Sequence, residues 1–445
     1  MLQKLFKLSQ HGTTPVREVQ AGCTTFAAMA YILAVHPAIL AAAGMPAEGL
    51  ITVTAVSAAV STLIMAFTTN FPLALAPGMG INAYFAYTVC LGLGVPWQQA
   101  LGLVFINGLA FLALSLSGIR EKIINVIPFQ LKMAITCGIG LFIAFIGLKN
   151  GSVIVSHPET FVTHGALGSP PVLLCLGGII LTVVLMIRRV PGGIILSILA
   201  VTLIGLIVPD GRGGTVTKLP DQFISLPASM GDTFMQLNLD YFTEDFLKAS
   251  TVVLTLLLIA LFDNVGTLIG VTQRAGLLDK NGHLPGAGRA LVADSLGVIL
   301  SSLFGTSNVV SYIESASGVE AGGRTGLVGV TVAGLFVLAL FFTPVIAAIP
   351  AAATAPALVI VGIFMFQSVA QLNLDDLREV APAFIIILAT PLTFSIAEGI
   401  GLGLVAFALI QLTTGKARET SWLVYTLAAI FAVHLFRELF LSAGS

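Results

Sequence analysis

The chain is short of charge. Only 9% of its 445 residues are Asp, Glu, Lys or Arg, while 57% are hydrophobic; soluble domains carry about 25% charged residues. So little charge cannot cover a folded surface in water, so the apolar remainder must face lipid. The mean hydropathy of +1.01 agrees with a polytopic membrane protein. A formal net charge of −1 argues against nucleic acid as a partner. Cysteine is scarce as well. Cys23, Cys90, Cys137 and Cys175 fall singly in apolar stretches without CxxC spacing, and read as small packing residues, not disulfides or metal ligands. The six histidines show no metal-like spacing. No Gly-x4-Gly-Lys-Ser/Thr loop is present, so the chain carries no nucleotide-driven engine of that kind. The opening "MLQKLFKLSQHGTTPVREV" lacks a signal-peptide layout. Residues 1–18 read as a cytosolic amphipathic lead-in, with Leu2, Leu5 and Phe6 on one side.

What the chain has in abundance is long apolar runs. A membrane-spanning helix needs about 20 mostly apolar residues. Candidates lie near 19–43, 48–69, 74–91, 97–116, 127–149, 170–187, 190–208, 247–270, 286–304, 306–321, 324–349, 353–370, 380–396 and 398–415, fourteen in all. A further apolar stretch, 421–441, contains His434, Arg437 and Glu438 and either spans or lies in the interface. With the N-terminus in the cytosol, the Lys and Arg residues near span ends fall inside except Lys149, Arg212, Lys218 and Lys248, with Arg437 unassigned. The acidic loop 209–246 separates two seven-span halves. Seven is odd, so the second half is inverted relative to the first, a pattern common in transporters.

The halves also rhyme in detail. The third stretch, "NFPLALAPGMGINAYFAYTV", and the tenth, "FGTSNVVSYIESASGVEAGG", are short. Each begins with Pro- or Gly-punctuated extended residues and then turns helical. Gly-kinked packing helices would give a similar composition; the matched positions and neighbouring acids favour discontinuous helices. Extended backbone at membrane depth is tolerated where protein buries it or a cavity solvates it. Half-helix N-termini at such breaks offer free N–H groups to a small ligand. Aligning the halves places Asp263 opposite Tyr31.

Intramembrane carboxylates cost about 2.5–3.5 kcal/mol each on insertion scales. Four interrupt apolar segments here: Asp263, Asp294, Glu314 and Glu398. Asp263 lies near the middle of span 8, Glu314 at the break of span 10, and Asn82 at the matching break of span 3. Two carboxylates and a carboxamide suit a planar, uncharged ring with several N–H groups. The candidate binding set is Asp263, Glu314 and Asn82, with Gly80 and Ser311 from the two breaks. Tyr31, Tyr84, Phe85 and Phe262 are candidate stacking faces, though Tyr84 and Phe85 suit packing as well. Asp263 and Glu314 are also candidates for carrying a coupled proton, Asp263 the more so. Asp294 either braces the broken backbone or takes part in coupling, and Glu398 reads as structural or gate-related. A single focal site argues against a channel. An intramembrane protease using Asp263 and Asp294 is the remaining reading from another class, but Asp263 lacks a GxGD-type setting.

Three segments carry a resemblance: "LAPGMGINAYFAYTV" (75–89), "ALFDNVGTLIGVTQRAGLLD" (260–279) and "GTSNVVSYIESASGVEAGGRTGL" (305–327). Together with the opening "FKLSQHGTTPVREVQAGCTTFAAMAYI", they are similar to the azaguanine-resistance-type purine permeases, a branch of the nucleobase–ascorbate (nucleobase:cation symporter-2) transporters. The resemblance implies an all-α polytopic protein of fourteen spans in 7+7 inverted repeats, with short strands in spans 3 and 10. It implies a core domain of 19–116 and 247–349 and a gate domain of 117–208 and 350–415. The loop 209–246 would be extracytoplasmic, and 416–445 a C-terminal apolar segment. It further implies elevator-like proton symport of a purine in the cytoplasmic (inner) membrane, commonly as a homodimer. No enzyme activity and no cofactor are implied; the coupling ion is H+. The family's span-8 acid, span-10 glutamate and span-3 asparagine fall on Asp263, Glu314 and Asn82. The tract "GxNAYFA" resembles that of hypoxanthine/guanine permeases, with an adenine-preferring permease as the alternative.

Overall fold

Apolar runs without internal charge close their backbone hydrogen bonds within themselves and become long helices. The protein is described by a computed structural model that covers residues 2–117, 128–211, 213–277 and 284–436. Among the described residues, nine helices are long and apolar enough to cross a membrane, from Pro15–Ala42 to Ile396–Thr413. Each coincides with one of the fourteen expected stretches. Gly193–Gly205, Phe246–Leu261 and Trp422–Leu435 are shorter apolar helices. The helix containing Phe246–Leu261 continues to Arg274, but its second half carries Asp263, Asn264 and Thr267. The protein is thus a multi-pass membrane protein. Arg120, Lys122, Arg212, Lys280, Arg437 and Glu438, which bear on the expected topology, lie outside the described residues, as does the end of 421–441.

Helix boundaries follow local chemistry. Thr14 accepts from the Arg17 amide, and Pro15 opens the first long helix, where a missing N–H costs nothing. Ser395 caps Ile396–Thr413 by accepting from the Glu398 amide at 3.3 Å. Glu398 therefore sits in the first turn of that helix, where a carboxylate also suits the helix dipole.

The third and tenth stretches are broken. Residues Leu75–Pro77 form strand β1, followed by helical backbone from Met79 to Gly92 whose second part widens to π-type turns. Strands β2 (Ile154–His157) and β3 (Phe161–His164) form a hairpin between two long helices. Strand β4 (Val309–Ser311) precedes the short helix Ser315–Glu320. The strands expected in the third and tenth stretches are β1 and β4, and the β2–β3 hairpin adds a second pair; its period-2 pattern is too short to stand out among apolar runs.

β1 and β4 pair antiparallel, with Leu75 opposite Ser311 and Pro77 opposite Val309. Both are fully buried. A two-stranded ribbon at this depth leaves outward-facing amides and carbonyls that water cannot reach. Side chains and flanking backbone take them up. Thr62 both donates to the Leu75 carbonyl (3.0 Å) and accepts from its amide (2.9 Å). Ser315 accepts from the Ala74 amide at 3.0 Å. Tyr312 N–H donates to Ala74 and Gly78 N–H to Asn308, extending the ladder at both ends. Pro77, without an N–H, still accepts from the Tyr312 hydroxyl at 2.6 Å.

Helices pack in two groups. Phe129–Asn150 packs on Ala351–Phe366 and Leu377–Leu392, and Ala351–Phe366 also takes Pro170–Ile187. Leu327–Ala339 packs on Pro15–Met29 and Leu50–Thr69, while Ala287–Phe304 packs on Leu50–Thr69 and Trp97–Ser117. Glycines allow the closest crossings. A Cβ on Gly362 would lie 2.5 Å from the Gly140 carbonyl, so these helices meet backbone to backbone.

The lead-in is docked instead of lying free. Phe6 and Leu8 are buried against Leu327, while Leu5 is 55% exposed. This corrects the expected Leu2–Leu5–Phe6 face: only one helical turn forms, Leu2–Leu5, and the chain then turns at Lys7 with positive φ. The Leu2 side chain lies outside the described residues.

Candidate substrate-binding site

The site residues come from four elements that meet at the β1–β4 pair. Tyr31 follows the helix Pro15–Met29, at a break in the first span. Its hydroxyl donates to Oε1 of Glu314 at 2.7 Å. Asp263 lies in the helix Phe246–Arg274, half-buried, and makes no hydrogen bond among the described residues. It lies within electrostatic range of Glu314, and Tyr31 and Tyr312 feel both carboxyl groups. Asp263, Glu314, Tyr31 and Tyr312 thus form one cluster. The alignment that sets Asp263 opposite Tyr31 concerns equivalent positions of the two halves; the hydrogen-bond partner of Tyr31 is Glu314. Aligning two inverted halves in sequence matches equivalent positions, while contacts are made where the halves cross.

Asn82 is fully buried on the Met79–Gly92 segment. Its Oδ1 accepts from the Ser307 hydroxyl, and its Nδ2 has no partner among the described residues. No hydrogen bond joins it to either carboxyl among the described residues. Gly80, on the same segment, faces a neighbouring helix: a Cβ there would lie 2.7 Å from Cγ2 of Ile139. Phe85 is buried. The side chain of Phe262 lies outside the described residues.

Ser311 is engaged in holding β4. Its amide donates to Oδ1 of Asn264 at 3.0 Å, and its hydroxyl is 3.5 Å from Oδ1 of Asp294. Asn264 Nδ2 in turn donates to Oδ2 of Asp294. The residue beside Asp263 is therefore the brace of the strand, and Asp294 fixes the brace. Sequence reading passed over Asn264 because the neighbouring acid drew attention; the polar doublet in "FDNV" was the available signal. It also passed over Tyr312 and Ser315, whose signal was the density of hydroxyls in "SYIESAS". His36, buried, shares a 2.6 Å hydrogen bond with Thr306 at the entry to β4.

Chemically, this arrangement offers two carboxyl groups and a free carboxamide donor beside two chain breaks. The first amides of the Met79–Gly92 segment have no carbonyl one turn earlier in the helix to donate to, as at any helix start. A cleft of about 440 Å³ lined by Gln98, Gln99 and Gln236 and another of about 180 Å³ lined by Gln130 and Phe366 lie elsewhere, and neither is lined by this cluster.

Paired strands from two broken helices within a multi-pass helical bundle define the fold. The chain superimposes on the transmembrane domain of the cyanobacterial bicarbonate transporter BicA with a TM-score of 0.64 at 18% identity, covering 86% of this chain and 97% of that one. That likeness concerns the fold. Residues 17–402 match the model of the Permease family, the nucleobase–ascorbate transporters, and the chain belongs to this family. A putative permease of Methanocaldococcus jannaschii is 48% identical over 432 residues, 97% of each chain. The adenine permease AdeP of Escherichia coli is 40% identical, covering 98% of this chain and 96% of its own. The guanine/hypoxanthine permease PbuG of Bacillus subtilis is also 40% identical, covering 97% and 99%.

Proposed function

We propose that the protein is a proton-coupled symporter that imports purine bases across the cytoplasmic membrane, with its N-terminus in the cytosol. The observation that carries this reading is the cluster of Asp263 and Glu314 beside the paired strands β1 and β4. Asp263 and Glu314 accept hydrogen bonds from ring or exocyclic N–H groups of the purine. Asn82, whose Nδ2 has no partner among the described residues, donates to a ring nitrogen or carbonyl and fixes orientation. Asp263, which no donor among the described residues holds, is the carboxyl that exchanges the coupled proton. Phe85 and Phe262 remain candidates for the aromatic wall.

In this reading the fourteen stretches form 7+7 inverted repeats. The helices around β1 and β4 form a core that moves as a unit against a gate, and two copies assemble. The two groups of mutually packed helices support the division. Hypoxanthine and guanine are the proposed substrates, on the "GxNAYFA" tract. Adenine is the second reading, since the chain is as similar to AdeP as to PbuG.

The test is uptake of labelled hypoxanthine, guanine, adenine and uracil into cells lacking their own purine permeases, with and without a protonophore. Purine uptake abolished by the protonophore is expected. Uptake insensitive to it overturns proton coupling, and no uptake of any base by well-expressed protein overturns the purine reading.

A further inference from the structure

Glu18 is an acid that the proposed transport cycle does not use, yet it is completely buried. Its Oε1 accepts from the Arg324 amide at 2.8 Å, and its Oε2 from the Thr325 amide at 3.1 Å and the Thr325 hydroxyl at 2.7 Å. Among the described residues no cation pairs with it. The Arg324 guanidinium turns away and donates to the carbonyls of Val319 and Gly323 at 2.7 and 2.6 Å, closing the end of the helix Ser315–Glu320. A buried carboxylate without a cation persists only where hydrogen bonds fully engage it. Three donors from one loop do so here.

That loop leads directly out of the short helix bearing Glu314 at its start. Six residues form no stable helix alone, so the surroundings must fix its position. The helix Pro15–Met29 lies alongside and grips it at three levels. At one end Glu18 holds Arg324 and Thr325. In the middle Gly318 lies so close that a Cβ would come within 2.7 Å of the Ala21 carbonyl and 2.0 Å of the Thr25 hydroxyl. At the far end Tyr31 donates to Glu314. From Glu18 to Tyr31 is 13 residues, roughly 20 Å along a helix.

We propose that Glu18 is a positioning residue for the substrate site: with Tyr31 it makes the first helix a splint, clamped at both ends, that sets the height of Glu314 in the membrane. This rests on the assignment of Glu314 to the purine site. Glu18 touches no substrate and acts through Glu314, so its loss shifts affinity more than turnover.

The test compares wild type with Glu18→Gln, whose NH2 group faces donors it cannot accept from. Uptake kinetics are measured with whichever of guanine, hypoxanthine or adenine the wild type carries, and amide exchange across 314–326 is followed in the purified full chain. A KM raised about tenfold, a turnover per molecule changed less than threefold and faster exchange across 314–326 are expected. In a Tyr31→Phe background the KM effect of Glu18→Gln is smaller than in wild type, because the clamp is already open at one end. A KM equal to wild type, with only the amount of protein reduced, overturns the proposal. If wild type carries no purine, the functional reading fails, and the exchange measurement alone decides: unchanged protection of 314–326 overturns the splint. If Glu18→Gln does not accumulate, Thr325→Val serves in the same measurements, and unaltered KM and exchange there likewise overturn it.

Discussion

Tyr31 and Glu314 are 283 residues apart in sequence, and the hydroxyl of the first donates to the carboxyl of the second at 2.7 Å. A tyrosine at the break between two helices thus orients an acid that begins another. Tyr31→Phe removes the donor and little else. Hydrogen bonds to charged groups contribute about 1.5–3 kcal/mol, so purine KM rises ten-fold or more while membrane levels stay constant. Uptake kinetics alongside immunoblotting check this; wild-type KM in the variant would detach Tyr31 from the site.

Among the described residues Asp263 has no hydrogen-bond partner to lose, so Asp263→Asn is structurally mild. It removes a proton-binding group without removing volume. Proton-driven accumulation of purine is expected to vanish while expression and thermal stability remain near wild type. Normal uphill uptake by this variant contradicts the role assigned to Asp263.

Asp294 is expected to behave differently. It holds Asn264 and Ser311, so Asp294→Ala leaves buried donors without an acceptor, at about 1–3 kcal/mol for each. The purified variant should melt several degrees lower than wild type and take up little purine. A variant of unchanged melting temperature that nonetheless fails to accumulate purine would move Asp294 from bracing to proton coupling.

Gly80 faces Ile139 across the two helix groups. Gly80→Val drives a side chain into Ile139 and wedges the two groups, so their relative movement is hindered: turnover falls several-fold and KM changes little. Ile139→Ala in the same chain restores room and turnover. A raised KM, not rescued by Ile139→Ala, would place Gly80 against the substrate instead.

Much of this architecture was legible because membranes punish exceptions. A carboxylate within "LLLIALFDNVG" or a Pro–Gly pair before "MGINAYF" is costly unless something requires it, so Asp263 and the strand–helix break could be read directly. What stayed hidden depends on partners distant in sequence. Glu18 sits among Arg17 and Val19 near the chain's start and looks like a solvated acid until Arg324 and Thr325 fold against it. Asn264 looks like an accessory to Asp263 until Ser311 arrives beside it. Tyr31 and Glu314 were both read as site residues, but not their hydrogen bond, because alignment of repeats says which positions are equivalent and not which ones touch. The one-turn lead-in helix and the β2–β3 hairpin escaped for a simpler reason: four-residue elements carry too few periods to register.

The β1–β4 pair also sets an order of events during synthesis. Pro77 accepts from Tyr312, 235 residues later. At roughly 5–20 residues per second, β1 waits about 10–50 s for its partner to leave the ribosome. Throughout that interval the edge of β1 that faces β4 has no partner at membrane depth, where an unmet backbone group is expensive. The N-terminal half of the chain is therefore an unfinished object when it first inserts, needing a chaperoning surface or a shallow resting position. It becomes a closed structure only when the second half supplies Val309, Val310 and Ser311.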